Sequence, residues 1–296
     1  MNRLRTKILI TGLVLVVLAE IAVRLSGITD FPLYDANSQI GYIPKASQSG
    51  DFLRTNHWQF NSKNMGAAEF TPTQAMDNLL IGDSVVLGGN PYRQEDRLGP
   101  QLSKFIGQPV WPISAGSWAL RNELSYLRMH PDVVSQSDRF VFVLNGGDFE
   151  QASSWSCEKT HPRSRPISAA LYVFRKYVWD WGTCGQIPNE VLVPSGDWRP
   201  ELQQFLASDA VQNKPVVFFL YPDKAEMTVK TALEAGVESH VTELRKACPV
   251  PVLIYSVGRD PRWKLALYKD GIHPSKDGVK VLAEIIGAPS VNTKLP

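Results

Sequence analysis

The sequence has little of what would mark it as a nucleic-acid binder, a disulfide scaffold or a disordered chain. Lys and Arg number 31 against 29 Asp and Glu, a formal charge of only +2, and no basic run interleaved with aromatics follows the first residues. A nucleic-acid partner is therefore not expected. Cysteine is scarce, with three in 296 residues, too few for a small fold held by bridges. Cys157 and Cys184 share one Trp-rich stretch that a bond between them would staple, and Cys248 is expected as a free core thiol. No second cysteine pair or ordered histidine set accompanies them, so neither a metal nor an organic cofactor is expected. Internal repeats and low-complexity tracts are missing. Hydrophobic residues make up 44% and charged residues 20% of the chain, which excludes long-range disorder.

A long apolar run is also missing everywhere but at the start. Residues 8–23 (ILITGLVLVVLAEIAV) are apolar except for Thr11 and Glu20, with Arg3, Arg5 and Lys7 before them and Arg24 after. About 20 apolar residues are needed to cross a hydrocarbon layer of about 30 Å. Residues 6–26 suffice if Lys7 and Arg24 extend to the interfaces. Positive charge ahead of the run predicts a cytoplasmic N-terminus and an extracytoplasmic, periplasmic remainder. Ala19, Ala22 and Ser26 do not form a well-placed small-x-small cleavage site. Residues 1–26 are therefore read as a single-pass anchor in the lipid bilayer. A cleaved signal peptide is the rival reading, and a buried or peripheral helix the third.

Residues 27–75, with Gly, Pro, Asn and Ser throughout, read as a loop-rich lead-in. From 76 to 290, strands alternate with helices. Strands are expected at 78–81, 110–115, 139–144, 215–220 and 250–255. Helices are expected at 97–106, at 123–134 with Pro131 interrupting the end, at 225–247 with a break near Gly236, and at 274–286. Apolar strands without clean alternation, separated by helices, predict a mostly parallel sheet covered on both faces, a three-layer α/β/α fold. Residues 150–198 interrupt the alternation with both cysteines, Trp155, Trp179, Trp181 and Trp198, and a helical pattern over 167–180. This stretch reads as an insertion or lid, and its tryptophans are expected to line a groove.

Ligands of open parallel sheets bind at the carboxyl ends of the strands. Those ends here are Gly82-Asp83-Ser84, Ala115-Gly116 and Asn145-Gly146-Gly147-Asp148. Ser84, directly after a strand, can present its hydroxyl there. The bland reading makes it a helix N-cap. The G-x-S-x-G elbow is not present, because position 86 is Val. A hydroxyl nucleophile needs a base, and the base needs an acid to orient it. Asp270 and His273 stand three apart across a Gly-containing turn, ahead of Pro274 and Ser275. Read blandly, they are an exposed helix cap. Each half supplies what the other lacks. His57, His130, His161 and His240 have no acid at a useful spacing, although His161, near Cys157, is a candidate groove residue. Asp260, Arg262 and Trp263 read as a surface turn, with substrate recognition as the alternative.

These blocks resemble the SGNH (GDSL-type) hydrolase superfamily, whose nucleophile lies in Gly-Asp-Ser and whose last block is Asp-x-x-His-Pro. The matches run from residue 79 to 286. The resemblance implies a flavodoxin-like sheet, Ser84 as nucleophile, His273 as base and Asp270 as its orienting acid. It also implies an oxyanion hole that draws on the Ser84 and Gly116 amides. The family's Gly-x-Asn-Asp block is altered here. Aligned on Asp148, the expected Asn position holds Gly147, while Asn145 stands where the family has Gly. Either Asn145 reaches the site through a shifted loop, or the third donor is missing or comes from elsewhere. Asp148 itself reads as structural.

The expected activity is serine-dependent hydrolysis of O-acyl groups, O-acetyl above all, on a cell-surface or secreted carbohydrate. Acyl transfer to a polysaccharide, a periplasmic lipase or thioesterase, and a non-catalytic glycan-binding scaffold are the alternatives. Expected partners are the ester-bearing small molecule or polysaccharide, the bilayer, and envelope polysaccharide-synthesis proteins.

Overall fold

Five short runs rich in Val, Ile, Leu and Phe form one parallel sheet, because such residues fill both faces of a covered strand. The computed structural model describes residues 3–179, 182–250 and 252–292; Trp181 lies outside them. The chain opens with α1 (Arg3–Ser26), followed by two antiparallel hairpins, β1 (Tyr34–Asn37) with β2 (Gly41–Pro44) and β3 (Gln48–Phe52) with β4 (Asn56–Phe60). The α/β domain runs through β5 (Asn78–Gly82), α2 (Ser84–Leu87), α3 (Leu98–Ile106), β6 (Val110–Ser114), α4 (Leu120–Met129), α5 (Pro131–Gln136) and β7 (Arg139–Leu144). After the insertion, which carries α6 (Ala169–Val173), come α7 (Trp198–Leu206), β8 (Val216–Leu220), α8 (Lys224–Thr228), α9 (Lys230–Ala247), β9 (Leu253–Ser256) and α10 (Lys276–Asn292).

The sheet order is β6-β5-β7-β8-β9, and every neighbouring pair is parallel. Successive residues of a strand face opposite sides, and the core divides accordingly. Leu79, Ile81, Phe140, Phe142 and Phe218 pack with Leu124 of α4, Leu202 of α7 and Leu244 of α9. Leu80, Val141, Val143 and Phe219 pack with Leu102 of α3 and Leu282 of α10. The result is the expected three-layer α/β/α sandwich. The chain leaves β5 for β6 on one side and returns to β7 on the other. The carboxyl end of β5 is thus the point where the connections diverge, and a crevice opens there.

Several element boundaries differ from the expected ones. Pro131 divides α4 from α5, as its missing N–H requires. The break in the 225–247 pattern falls at Val229, not near Gly236. Asp223 and Glu226 open α8 with a capping box, and Val229, extended at φ −123°, ends it. Gly236 stays helical and admits Glu226, whose Oε1 would lie 2.9 Å from a Cβ there. The last strand begins at Leu253, after Pro249, which has no N–H to donate to a ladder. In the insertion, α6 gives way to a π-helical turn at Phe174–Val178.

Residues 27–75 do more than lead in. Phe31, Phe52, Trp58 and Phe60 form a small core of their own, while Ile40, Tyr42 and Met65 join the main core. Cys157 and Cys184 are bonded, and Cys248 is a free, half-buried thiol.

Candidate active site

The site forms where β5 ends. Gly82 is required there by close packing, since a Cβ would meet Val86 Cγ2 at 2.6 Å and the Val143 carbonyl at 2.9 Å. Asp83 caps α2 by accepting from the Val85 N–H at 2.8 Å. The N-cap role that Ser84 was weighed for therefore belongs to Asp83, and Ser84 is the first residue of α2 with its hydroxyl turned outward. Ser84 Oγ lies 3.0 Å from His273 Nε2, across 189 residues of chain. His273 Nδ1 lies 3.0 Å from both carboxylate oxygens of Asp270. Nδ1 facing a carboxylate fixes the tautomer, leaving Nε2 to accept from Ser84.

The Asp270-to-His273 turn is held from every side. Asp270 Oδ1 accepts the N–H of Ile272 and of His273. Burial acts to raise the Asp270 carboxyl, but these two N–H groups and the imidazole outweigh it and hold the group at about 2. The carbonyls of Gly271 and His273 accept from the Lys224 and Lys269 backbone N–H groups. Those of Ile272 and Pro274 accept from the hydroxyls of Tyr221 (2.7 Å) and Tyr92 (2.6 Å). Trp263 is buried beneath the turn and donates to Tyr268 Oη at 2.9 Å. It is a packing residue rather than part of a surface turn.

Gly116 follows β6 on the other side of Ser84. Its carbonyl accepts from Tyr42 Oη at 2.6 Å. The next residue, Ser117, sits at φ 60°, an unusual place for a residue with a side chain. Ser153 Oγ donates to the Ser117 carbonyl, and Asn122 holds Ser153 through both backbone groups at 2.8 Å. His161 stacks on Tyr42 with ring centroids 3.9 Å apart. Burial pushes its imidazole down to about 4, against a hydrogen bond with the Gly116 backbone. His161 thus lies behind Gly116 as a neutral ring.

Asn145 leaves β7 directly and reaches the site. Its Oδ1 accepts the Gly147 N–H at 2.9 Å, so its Nδ2 is the end that donates to Asp83 Oδ2, at 3.1 Å. The same Asp83 oxygen is 3.3 Å from Ser84 Oγ. Asp148 is buried and accepts the Asn145 N–H at 2.6 Å, which closes the turn and makes it structural. Three carboxyl groups therefore gather behind Ser84. Burial raises Asp83, and backbone hydrogen bonds from Val85 and Ser84 oppose the rise. Asp148 and Glu123 are raised well above the usual carboxyl range, first by burial and then by the charge of Asp83.

The fold brings Ser84, Asp270, His273 and Asn145, expected as site residues, to the carboxyl end of the sheet, with Gly116 just past the neighbouring strand β6. The sequence pattern did not find Tyr42, Tyr92, Tyr221 or Glu123, whose partners lie far away along the chain and which carry no local signal. Trp155 borders a cavity within the insertion, and the described tryptophans are otherwise mostly buried. Among the described residues only Trp179 is exposed, and Trp155 and Trp198 are core residues. Their Trp-rich setting reflects packing of the insertion onto the domain. A cavity of about 590 Å³ lies within that insertion, lined by the disulfide cysteines, and Ser84 is not among its lining residues.

No protein-family model matches the chain, and no curated protein matches it. Solved structures do. A G-D-S-L family protein from Desulfitobacterium hafniense is 16% identical, with 73% of this chain and 99% of that one covered, at a TM-score of 0.44. A family two carbohydrate esterase from Clostridium thermocellum, solved with cellohexaose, is 12% identical over 76% of this chain and 66% of that one, at 0.44. A salicylyl-acyltransferase from a tetracycline biosynthetic pathway is 12% identical over 76% and 57%, at 0.40. In its parallel sheet, and in the order of its Ser, Gly, Asn and Asp-His blocks along the chain, the molecule resembles the SGNH (GDSL-type) hydrolase superfamily.

Proposed function

We propose that the protein is a serine-dependent esterase acting on O-acyl groups of a carbohydrate, held at a membrane by α1 with its α/β domain outside the cytoplasm. The observation that carries the reading is the Ser84–His273–Asp270 chain of contacts, each 3.0 Å long. Ser84 Oγ attacks the ester carbonyl carbon as His273 Nε2 takes its proton. The carbonyl oxygen gains the electron pair and is met by the Gly116 and Ser84 N–H groups and by Asn145 Nδ2. The last two face Asp83, so an oxyanion competes with that carboxyl for them. Collapse expels the alcohol, which receives the proton from His273, and leaves an acyl-Ser84. Water, activated by the same imidazole, then releases the acid. Transfer replaces hydrolysis if a sugar hydroxyl occupies the position of the water.

An open site supports a polymer-borne ester over one held in a deep tunnel: the side chains of His273 and Asp270 are 34% and 45% exposed. The anchor reading is supported by α1, whose residues 8–19 are all exposed. A fluorophosphonate probe tests the chemistry. The wild-type protein should be labelled and Ser84→Ala should not; equal labelling of both would remove Ser84 as nucleophile. Acetate release from an acetylated oligosaccharide, with and without an unacetylated glycan acceptor, then separates hydrolysis from transfer.

A further inference from the structure

An acidic residue within an apolar span is costly unless it is paired, and Glu20 is paired with the insertion. Glu20 Oε1 accepts from the Ala169 N–H at 2.9 Å and from Arg24 Nε at 2.7 Å. Its Oε2 accepts from the Ala170 N–H at 2.9 Å and from Ser168 Oγ at 3.0 Å. Arg24 donates in turn to the Ile167 carbonyl at 2.7 Å. The first turn of α6 is thus capped by a side chain of α1. Glu20 stands six residues before the end of α1 at Ser26, about 9 Å along a helix axis. If α1 spans a bilayer, the start of α6 lies at the depth of its headgroup region.

The surface of this segment fits that place. Leu171 of α6 and Phe174 and Val178 of the π-helical turn after it stand at spacings of three and four, and Ile167, just ahead of the extended Ser168 cap, extends the stripe. All four are exposed, Ile167 at 99% and Val178 at 72%, with Tyr177 and Trp179 beside them. The opposite side is fastened to the domain, with Ala169 buried and the Tyr172 ring 5.3 Å from that of Phe31. Lys176 Nζ donates to Tyr172 Oη and so lies along the edge between the two sides. A contiguous apolar stripe bordered by Trp, Tyr and basic residues is the make-up of a helix lying in a membrane interface.

We propose that Ile167–Trp179 lies flat in the phospholipid interface beside α1, with its apolar stripe turned to the acyl chains, so that the domain is held at two points. The bilayer contact fixes its tilt, and the Glu20 cap fixes its depth. This rests on the reading of α1 as a membrane anchor. The test uses the full chain in nanodiscs of phosphatidylethanolamine and phosphatidylglycerol, with and without bromine on the upper acyl carbons. Brominated lipid should quench part of the tryptophan emission, and Trp179→Phe should remove at least half of the quenched part. Trp179 is exposed, so the exchange leaves the core intact. Wild type and variant quenched alike would overturn the proposal. Alkaline carbonate extraction of native membranes separates the two readings. Protein released by carbonate overturns the anchor and the docking together, whereas protein that is retained but has an unquenched Trp179 overturns the docking alone.

Discussion

The Asn145 amide is oriented by two hydrogen bonds before any substrate arrives, one accepted from Gly147 and one donated to Asp83. A donor preset in this way is worth about 10²–10³ in rate when it meets a developing oxyanion. Asn145→Ala should therefore lower kcat on p-nitrophenyl acetate by roughly that factor, while fold stability changes by only about 1 kcal/mol from the lost turn contact. A fall in kcat below threefold would exclude it from the oxyanion hole. The carboxyl groups around the site act on stability with opposite signs. Asp270 is held down to about 2, so its small contribution is present above the unfolded value of about 4 and is lost as the pH falls toward the folded one. Glu123 is raised by burial, and neither of its oxygens has a hydrogen-bond partner among the described residues. The folded state keeps that proton while the unfolded state releases it above about 4.3. Stability therefore declines as pH rises through that window. Glu123→Gln should make the decline in urea midpoint between pH 5 and pH 8 shallower; an unchanged slope would assign the titration elsewhere.

At the scale of elements, the turn between β9 and α10 shows how a flexible connection is made rigid. Its four carbonyls from Gly271 to Pro274 are all taken, two by tyrosine hydroxyls from β8's end and from the loop before α3. Removing one such hydroxyl costs about 1 kcal/mol of stability. It also lets His273 drift from Ser84, and displacement of a reacting group by about 1 Å can cost on the order of 100-fold in rate. Tyr221→Phe should lower kcat several-fold with KM nearly constant, and should leave Asp270→Asn with little further sensitivity to the same change. If both changes act independently, Tyr221 serves stability alone. None of these clamps was legible in the sequence. The Asp-x-x-His spacing lies within one turn and reads locally. Tyr92 and Tyr221 reach it only because β5 and β8 are neighbours of β7.

The molecule as a whole is an α/β domain with an insertion pinned, among other contacts, to the core through Trp155, to α1 through Glu20, and to itself through Cys157–Cys184. The two cysteines are 27 residues apart, and closing a loop of that size stabilises by about 3–4 kcal/mol in the chain-entropy account. Replacing both with Ser should make trypsin cut within the insertion well before the α/β domain. Identical digestion of the two proteins would show that the bond adds nothing to the insertion.

Local chemistry was enough to read the apolar first helix, the parallel three-layer fold and the pairing of Ser84 with Asp270 and His273, while Gly116 and Asn145 entered through the family resemblance. Strand composition, turn residues and short motif spacings are all settled over a few neighbouring positions. The hairpins within residues 27–75 were missed because strands of four or five residues, separated by Gly and Pro, carry too short a pattern. The break at Val229 was misplaced because Gly236 serves a close helix contact that no local spacing reveals. Only the tertiary structure decided that Asn145 points at Asp83, that the tryptophans are mostly core, and that Glu20 finds its partners 148 to 150 residues later. Those outcomes depend on which distant segments strand order brings together, and burial and pairing energies are defined only once that has happened.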